Sequence, residues 1–185
     1  MTDREVLNVA VAGLCHDLGH GPFSHVFDNI FIKKLQKAEE QLTKKPQPKW
    51  THEIASCMIF QNILDTTASV AEYFQNEFDV KMVKDLILGD PSDCPANRKW
   101  LFEIVSNPRN SIDVDKFDYL ARDTQKMNVH YCSFNHEVIM KTARVIEDSN
   151  GDYQICYPQK HEFEIKKLYD SRYNLYKDCY NHRVT

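Results

Sequence analysis

Glycine, proline and long apolar runs are all scarce in this sequence. Only 5 Gly and 7 Pro interrupt 185 residues, so helical periodicity can persist over long stretches. No apolar run approaches the roughly 18 residues that a membrane-spanning helix needs. The first residues, Met1 to Arg4, also lack the basic and then apolar pattern of a secretory signal. The sequence therefore predicts no membrane partner.

Paired cysteines and an excess of positive charge are also missing. The six cysteines include no C-x-x-C pair, which argues against a finger-type zinc site. Without a secretory signal, we expect six reduced thiols and a location in the nucleus or cytoplasm. The net charge of −4 argues against a generally basic nucleic-acid surface, but not against a local basic pocket.

Helical periodicity dominates the pattern of apolar residues. It predicts helices at residues 5–17, from Ser24 toward Lys37, and at 51–64, 70–77, 80–88, 99–106, 114–127, 137–144 and 163–181. The polar stretches 38–50 and 89–98 are predicted loops. An Asn-Gly pair between two short β-prone runs predicts a hairpin. We expect one mainly α-helical domain over residues 1–185, with a small β-hairpin near residues 144–157.

The stretch from His16 to His25 (HDLGHGPFSH) concentrates polar chemistry at the end of an apolar helix. Neighbouring helical residues point about 100° apart, so His16 and Asp17 can converge on one ion at the helix edge. His20 shares their face if the last helical turn persists. The alternative is that His16 and His20 are core histidines with satisfied hydrogen bonds. Three histidines and an aspartate in ten residues favour a metal or catalytic site instead.

A second group is Thr51-His52-Glu53. By itself it is explained by helix capping, because Thr51 can cap the helix and Glu53 in the first turn complements the helix dipole. The group gains a catalytic meaning only if it faces His25, where a carboxylate could orient an imidazole as general acid or base.

Two further helices carry charged and aromatic stripes. On the first, Asp115 can offer an oxygen to a metal, Lys116 can neutralise phosphate, and Tyr119 can pack on a sugar. The alternative for that helix is a solvated face of ion pairs. On the second, Arg172, Tyr176 and Tyr180 recur at every fourth residue. Such a stripe suits a nucleotide, and it suits a tyrosine-rich core face equally well.

Four blocks together resemble a known family. They are Ala12 to His25, Trp50 to Glu53, Glu103 to Asn107, and Ile112 to Tyr119. The His16-Asp17 doublet resembles that of the HD superfamily of metal-dependent phosphohydrolases. The four blocks in this order resemble the SAM-and-HD-domain deoxynucleoside triphosphate triphosphohydrolases. The resemblance extends from about Val6 to Val184.

The resemblance implies an activity and a set of site residues. Enzymes of this family cleave a deoxynucleoside triphosphate to a deoxynucleoside and inorganic triphosphate, using a divalent metal such as Zn, Fe, Mn or Mg. Metal binding would fall to His16, Asp17 and Asp115. The catalytic pocket would contain His20, His25, Asp28, His52 and Glu53, with His25 as the general acid. The phosphates would be held by Lys116, Tyr119 and Arg172, and the sugar by Asp123 and Tyr180.

One departure from the family bears on activity. The family places a first metal histidine upstream of the doublet, and this sequence has no histidine before His16. We therefore expect a domain truncated at both ends, with weak metal binding and impaired turnover. The resemblance also implies a homo-oligomer, a tetramer in the family, and a possible single-stranded nucleic-acid partner. The alternatives are an HD phosphohydrolase acting on another nucleotide, and a fragment that binds nucleotide or joins other subunits without turnover.

Overall fold

Helices dominate the computed structural model, which describes residues 1–74, 76–128 and 134–182. The described α-helices are α1 Asp3–Cys15, α2 Lys33–Thr43, α3 His52–Thr66, α4 Ala68–Ala71, α5 Glu77–Leu88, α6 Phe102–Val105, α7 Val114–Lys126, α8 His136–Thr142 and α9 Glu162–Leu175. The strands β1 Arg144–Glu147 and β2 Tyr153–Cys156 pair antiparallel. The predicted class, mainly α-helical with a hairpin near residues 144–157, is confirmed.

The chain divides into two compact units, Met1–Pro91 and Ser92–Thr185. Each unit has its own buried apolar residues. In the first unit they are Val9, Ala12, Cys15, Phe60, Phe74, Met82, Val83, Leu86 and Ile87. The single domain expected over residues 1–185 stays a prediction. None of the helices in the described ranges is both long and apolar enough to cross a membrane.

Helix α1 begins at a capping box and packs on α5 in the first unit. The Thr2 hydroxyl accepts from the Glu5 backbone N–H at 3.2 Å, and the Glu5 carboxylate accepts from the Thr2 N–H at 2.7 Å. The amide nitrogen of buried Asn8 donates to Asp79 Oδ1 of α5 across 2.8 Å, so this hydrogen bond joins the two helices. The helix ends at Cys15, two residues earlier than the periodicity predicts. The His16-Asp17 doublet therefore lies in the turn after α1.

The segment after the doublet differs from the sequence prediction in three ways. Ser24 was expected to cap the next helix, and an N-cap residue is normally extended. The backbone of Ser24 is left-handed instead, with a φ of 45°, and Phe23 before it has a φ of 66°. A π-helical segment, Phe27–Ile32, then leads into α2. The helix also continues through residues 38–43, which were predicted as loop. Its residues there are mostly good helix formers, and it ends only at left-handed Lys44, two residues before Pro46.

The second unit surrounds a core of residues that lie on α7, α8 and α9 or just before α7 and α8. Its buried members are Ile112, Phe117, Leu120, Phe134, Ile139, Leu168 and Leu175. The hairpin lies in this unit in the register Arg144↔Cys156 and Glu147↔Tyr153. Arg109 fixes β2, because its guanidinium bonds the Glu103 carboxylate and donates to the Ile155 carbonyl at 2.8 Å. Helix α9 passes into a second π-helical segment, Tyr176–Tyr180, where a continuous α-helix was expected.

Candidate active site

The doublet after α1 presents one nitrogen and one oxygen toward the same point. His16 Nδ1 lies 2.7 Å from the Gly13 carbonyl oxygen, which can only accept a hydrogen bond. The proton of a neutral His16 ring is therefore on Nδ1, and the Nε2 lone pair is directed away from α1. His16 Nε2 and Asp17 Oδ1 are 3.3 Å apart. Imidazole nitrogen with carboxylate oxygen is a donor set that suits a divalent transition metal or Mg²⁺.

Asp17 begins a row of alternating carboxylates and imidazoles in the first unit. His20 Nε2 lies 3.4 Å from Asp17 Oδ1, and His20 Nδ1 lies 3.1 Å from Asp28 Oδ2. The same Asp28 oxygen lies 3.1 Å from His52 Nδ1. The His52 Nε2 atom completes the row at 3.3 Å from Glu53 Oε1. Asp28 is the most enclosed member of the row, with a side chain only 10% exposed, and it joins the two histidines.

His25 lies at the edge of this row. Its ring is T-shaped to that of His20, with centroids 5.3 Å apart, and 6.3 Å from that of His52. Nitrogen atoms of His20 and His25 and an oxygen of Asp28 lie within 4.8 Å of one another. His25 follows directly after Phe23 and Ser24, whose backbones are left-handed, and Asp28 lies in the π-helical segment. Both are uncommon backbone states that recur at functional sites.

Glu53 is held as a carboxylate by its neighbours. Burial alone would raise its pKa, but hydrogen bonds from Thr51 and from its own backbone N–H, with His52 and His20 nearby, lower the pKa below 4.5. Thr51 also caps α3 by accepting from the Ile54 N–H at 3.3 Å. Helix capping therefore explains Thr51, and the same segment places His52 and Glu53 in the polar row, whose catalytic meaning stays a prediction.

In the second unit, α7 and α9 bring together a cluster of cationic and phenolic groups. Lys116 is 7% exposed, and its Nζ donates to the Ser111 carbonyl at 2.5 Å. Burial lowers the pKa of Lys116. Burial raises the pKa of Tyr119 to about 12, because it disfavours the charged phenolate. The charge of Arg172 and its hydrogen bond to Tyr119 oppose this rise. The Arg172 guanidinium lies over the Tyr176 ring, 4.3 Å from its centroid. The cluster thus contains two cations and a phenol that stays protonated.

Asp123 and Tyr180 form the far end of this cluster. The Tyr180 hydroxyl donates to Asp123 Oδ2 at 2.5 Å, and burial with that contact raises the pKa of Tyr180. Arg122 pairs with Asp118 and lies 3.5 Å from Asp123 Oδ1. The five predicted substrate residues of this unit therefore lie along one α7–α9 face. Asp115 is half-buried in the first turn of α7, and its joining with His16 and Asp17 stays a prediction.

Comparison with known proteins decides the family. The HD domain family matches residues 2–123, which is more than half of the chain. The chain belongs to the HD domain family. The His16-Asp17 doublet and the row from Asp17 to Glu53 both lie inside the matched region.

Three relatives of this HD chain indicate how far the similarity extends. Deoxynucleoside triphosphate triphosphohydrolase SAMHD1 of Homo sapiens is 37% identical over 200 residues, covering all of this chain and 30% of the relative. The SAMHD1 homolog of Dictyostelium discoideum is 37% identical, covering all of this chain and 32% of the relative. A putative HD domain-containing protein of Acanthamoeba polyphaga mimivirus, L394, is 37% identical over 95% of this chain and 34% of its own length. The chain spans about a third of the length of these relatives.

The sequence prediction missed one residue that contacts the doublet. Ser56 is fully buried on α3, one turn after His52, and its hydroxyl contacts the backbone of the doublet. The available signal was its spacing, because residues four apart share a helix face. A small polar residue on the face of His52 needs a hydrogen-bond partner if it is buried. The partner itself, in the turn after α1, could not be read from spacing.

Proposed function

We propose that this chain hydrolyses deoxynucleoside triphosphates to deoxynucleoside and inorganic triphosphate. The observation that carries the proposal is the row Asp17–His20–Asp28–His52–Glu53 beside the His16-Asp17 doublet. Acid–base groups in contact with one another and with metal-type donors are needed for hydrolysis, whereas binding alone does not need them. Similarity along the whole chain to proteins named deoxynucleoside triphosphate triphosphohydrolases supports the substrate class.

A divalent cation would be held by His16, Asp17 and Asp115. The hydrogen bond of His16 to Gly13 fixes the tautomer that a ligand needs, and Asp17 adds a carboxylate oxygen beside it. Bound there, the cation supplies positive charge at the phosphoryl oxygens and makes water a better nucleophile. The nitrogen and oxygen donors are compatible with Zn, Fe, Mn or Mg. Weak binding for want of a further histidine stays a prediction.

The imidazoles of the row move protons. His25 would give a proton to the 5′-oxygen as it leaves, because His25 is the exposed histidine at the edge of the row. Asp28 would orient the imidazoles beside it, since its Oδ2 atom lies 3.1 Å from Nδ1 of both His20 and His52. His20, His52 and Glu53 extend this network and fix the geometry of Asp28.

The cluster on α7 and α9 would bind the nucleotide. Lys116 and Arg172 neutralise phosphate charge, and Tyr119 adds a hydroxyl donor next to Arg172. Asp123 and Tyr180 would contact the deoxyribose. Because the two side chains are hydrogen-bonded to each other, they would leave no room for a 2′-hydroxyl. To bind phosphate, Lys116 would exchange the Ser111 carbonyl for a phosphate oxygen, which is the stronger charged acceptor.

Product analysis tests the proposal and separates it from its alternatives. The chain is incubated with a deoxynucleoside triphosphate and Mn²⁺, with and without a chelator, and the products are separated by ion-exchange chromatography. We expect deoxynucleoside and intact triphosphate, lost on chelation. Orthophosphate, or turnover of a monophosphate instead, would indicate another HD phosphohydrolase. Binding without any product would indicate a non-catalytic fragment. The tetramer, the nucleic-acid partner and the location in the nucleus or cytoplasm stay predictions.

A further inference from the structure

A single buried hydroxyl joins the turn after α1, which contains the His16-Asp17 doublet, to helix α3. Ser56 Oγ donates to the His16 carbonyl oxygen at 2.6 Å and accepts from the Gly19 N–H at 2.8 Å. The residue is 0% exposed. One side chain from α3 therefore satisfies a donor and an acceptor in the segment that contains the doublet. The turn's own backbone bonds, Leu18 N–H to Cys15 and His20 N–H to Asp17, are longer, at 3.2 and 3.1 Å.

The turn lies so close to α3 that only glycine fits at position 19. A side-chain carbon added to Gly19 would overlap the carbonyl oxygen of His52, the backbone nitrogen of Ser56 and the Ala55 side chain. The backbone that carries the doublet therefore rests on the first two turns of α3. His52 and Ser56 lie one turn apart on that helix, so they share a face, and Phe60 continues the face into the core at 2% exposure.

We infer that Ser56 is a positioning residue that holds the His16-Asp17 doublet in register with His52. The inference rests on the proposed metal site. The hydrogen bonds of the Ser56 hydroxyl go to backbone atoms, so Ser56 would act on the backbone between His16 and Gly19. Without the Ser56 hydroxyl, the turn still contains His16 and Asp17. It loses the two hydrogen bonds that fix the position of these residues relative to His52 on α3. Hydrogen bonds that orient metal ligands in this way change metal affinity by about 10- to 100-fold.

The test compares Ser56→Ala with Ser171→Ala, measuring binding of Co²⁺ alone by its visible absorption. Ser171 is a matched control, because it is 1% exposed and its hydroxyl donates to the Lys167 carbonyl within α9. We expect Co²⁺ binding about tenfold weaker or worse in Ser56→Ala, unchanged binding in Ser171→Ala, and partial recovery in Ser56→Cys. Equal binding by wild type and Ser56→Ala would overturn the positioning role alone. Absence of Co²⁺ binding by the wild type would instead remove the metal site on which the role rests.

Amide hydrogen exchange in the wild-type chain provides a measurement that needs no variant and no metal. We expect the Gly19 N–H to be protected, because it is buried and bonded to Ser56 Oγ. If Ser56→Ala folds, as judged by circular dichroism, this amide should exchange faster while those in the middle of α3 do not. A Gly19 amide that exchanges at the rate of an unstructured peptide in the wild type would overturn the inference even if the variants fail to fold.

Discussion

His20 and His52 stack face to face, with ring centroids 3.9 Å apart and planes inclined by 16°. In both rings Nδ1 lies 3.1 Å from the same oxygen of Asp28. Two stacked imidazoles that are both cationic repel each other. An anion close to both rings offsets that repulsion. Asp28 provides negative charge beside both rings, while Asp17 and Glu53 lie near the outer nitrogens of His20 and His52.

Asp28→Asn should therefore lower turnover by about 10²-fold or more, because it removes the charge that both histidines share and leaves their geometry nearly intact. Asp65→Asn is the matched control, since Asp65 is an exposed residue of α3 that accepts from Gln61. Steady-state rates with a deoxynucleoside triphosphate decide the matter. Turnover of Asp28→Asn at the rate of Asp65→Asn would show that the row is not an acid–base network.

His25→Ala should remove turnover by about 10²- to 10⁴-fold while leaving nucleotide binding largely in place, because a general acid acts on the leaving group and not on affinity. Binding is measured by calorimetry with a non-hydrolysable deoxynucleoside triphosphate analogue, and turnover by product release. His136→Ala, at an exposed histidine of α8, should change neither. Unchanged turnover in His25→Ala would mean that another group is the acid.

Arg172→Ala should weaken triphosphate binding by at least about tenfold, since a charge-assisted hydrogen bond contributes about 1.5–3 kcal/mol. Lys166→Ala removes an exposed cation from the same helix, where it pairs with Asp170, and should have little effect. Affinities are compared for a deoxynucleoside triphosphate and for the uncharged deoxynucleoside. An equal loss for both ligands would contradict a phosphate role for Arg172.

Glu53 should contribute to stability in a pH-dependent way. Its pKa in the folded chain lies below the ordinary 4.5, so its contribution is present above pH 4.5 and is lost as the pH falls through the lowered value. Glu53→Gln removes this contribution. The melting temperatures of wild type and variant should therefore differ most above pH 4.5 and converge in acid. Glu39→Gln, on the exposed α2, should show no such convergence. A constant difference at every pH would contradict the lowered pKa.

Local features of the fold could be predicted, and features that depend on backbone geometry could not. Thr51 was recognisable as a helix cap, and the structure places it as the N-cap of α3. The Asn150-Gly151 turn lies between β1 and β2 as expected. The loop predicted for residues 38–50 was wrong over residues 38–43, because Pro46 restricts only the residue before it and the helix formers at 38–42 continue α2.

The sequence by itself determined which chemical groups are present and how they are spaced along each helix. It supplied the His16-Asp17 doublet, the histidines after it, and the charged stripes of α7 and α9, because those patterns need only local periodicity. Only the tertiary structure decided that Asp28 joins His20 to His52 and that Ser56 holds the turn. Those contacts depend on the left-handed turn at Phe23 and Ser24, the π-helical segment and the close approach at Gly19. These three backbone features change the direction of side chains but leave no periodic pattern in the sequence. Side chains distant in sequence therefore cannot be matched until the path of the backbone is known.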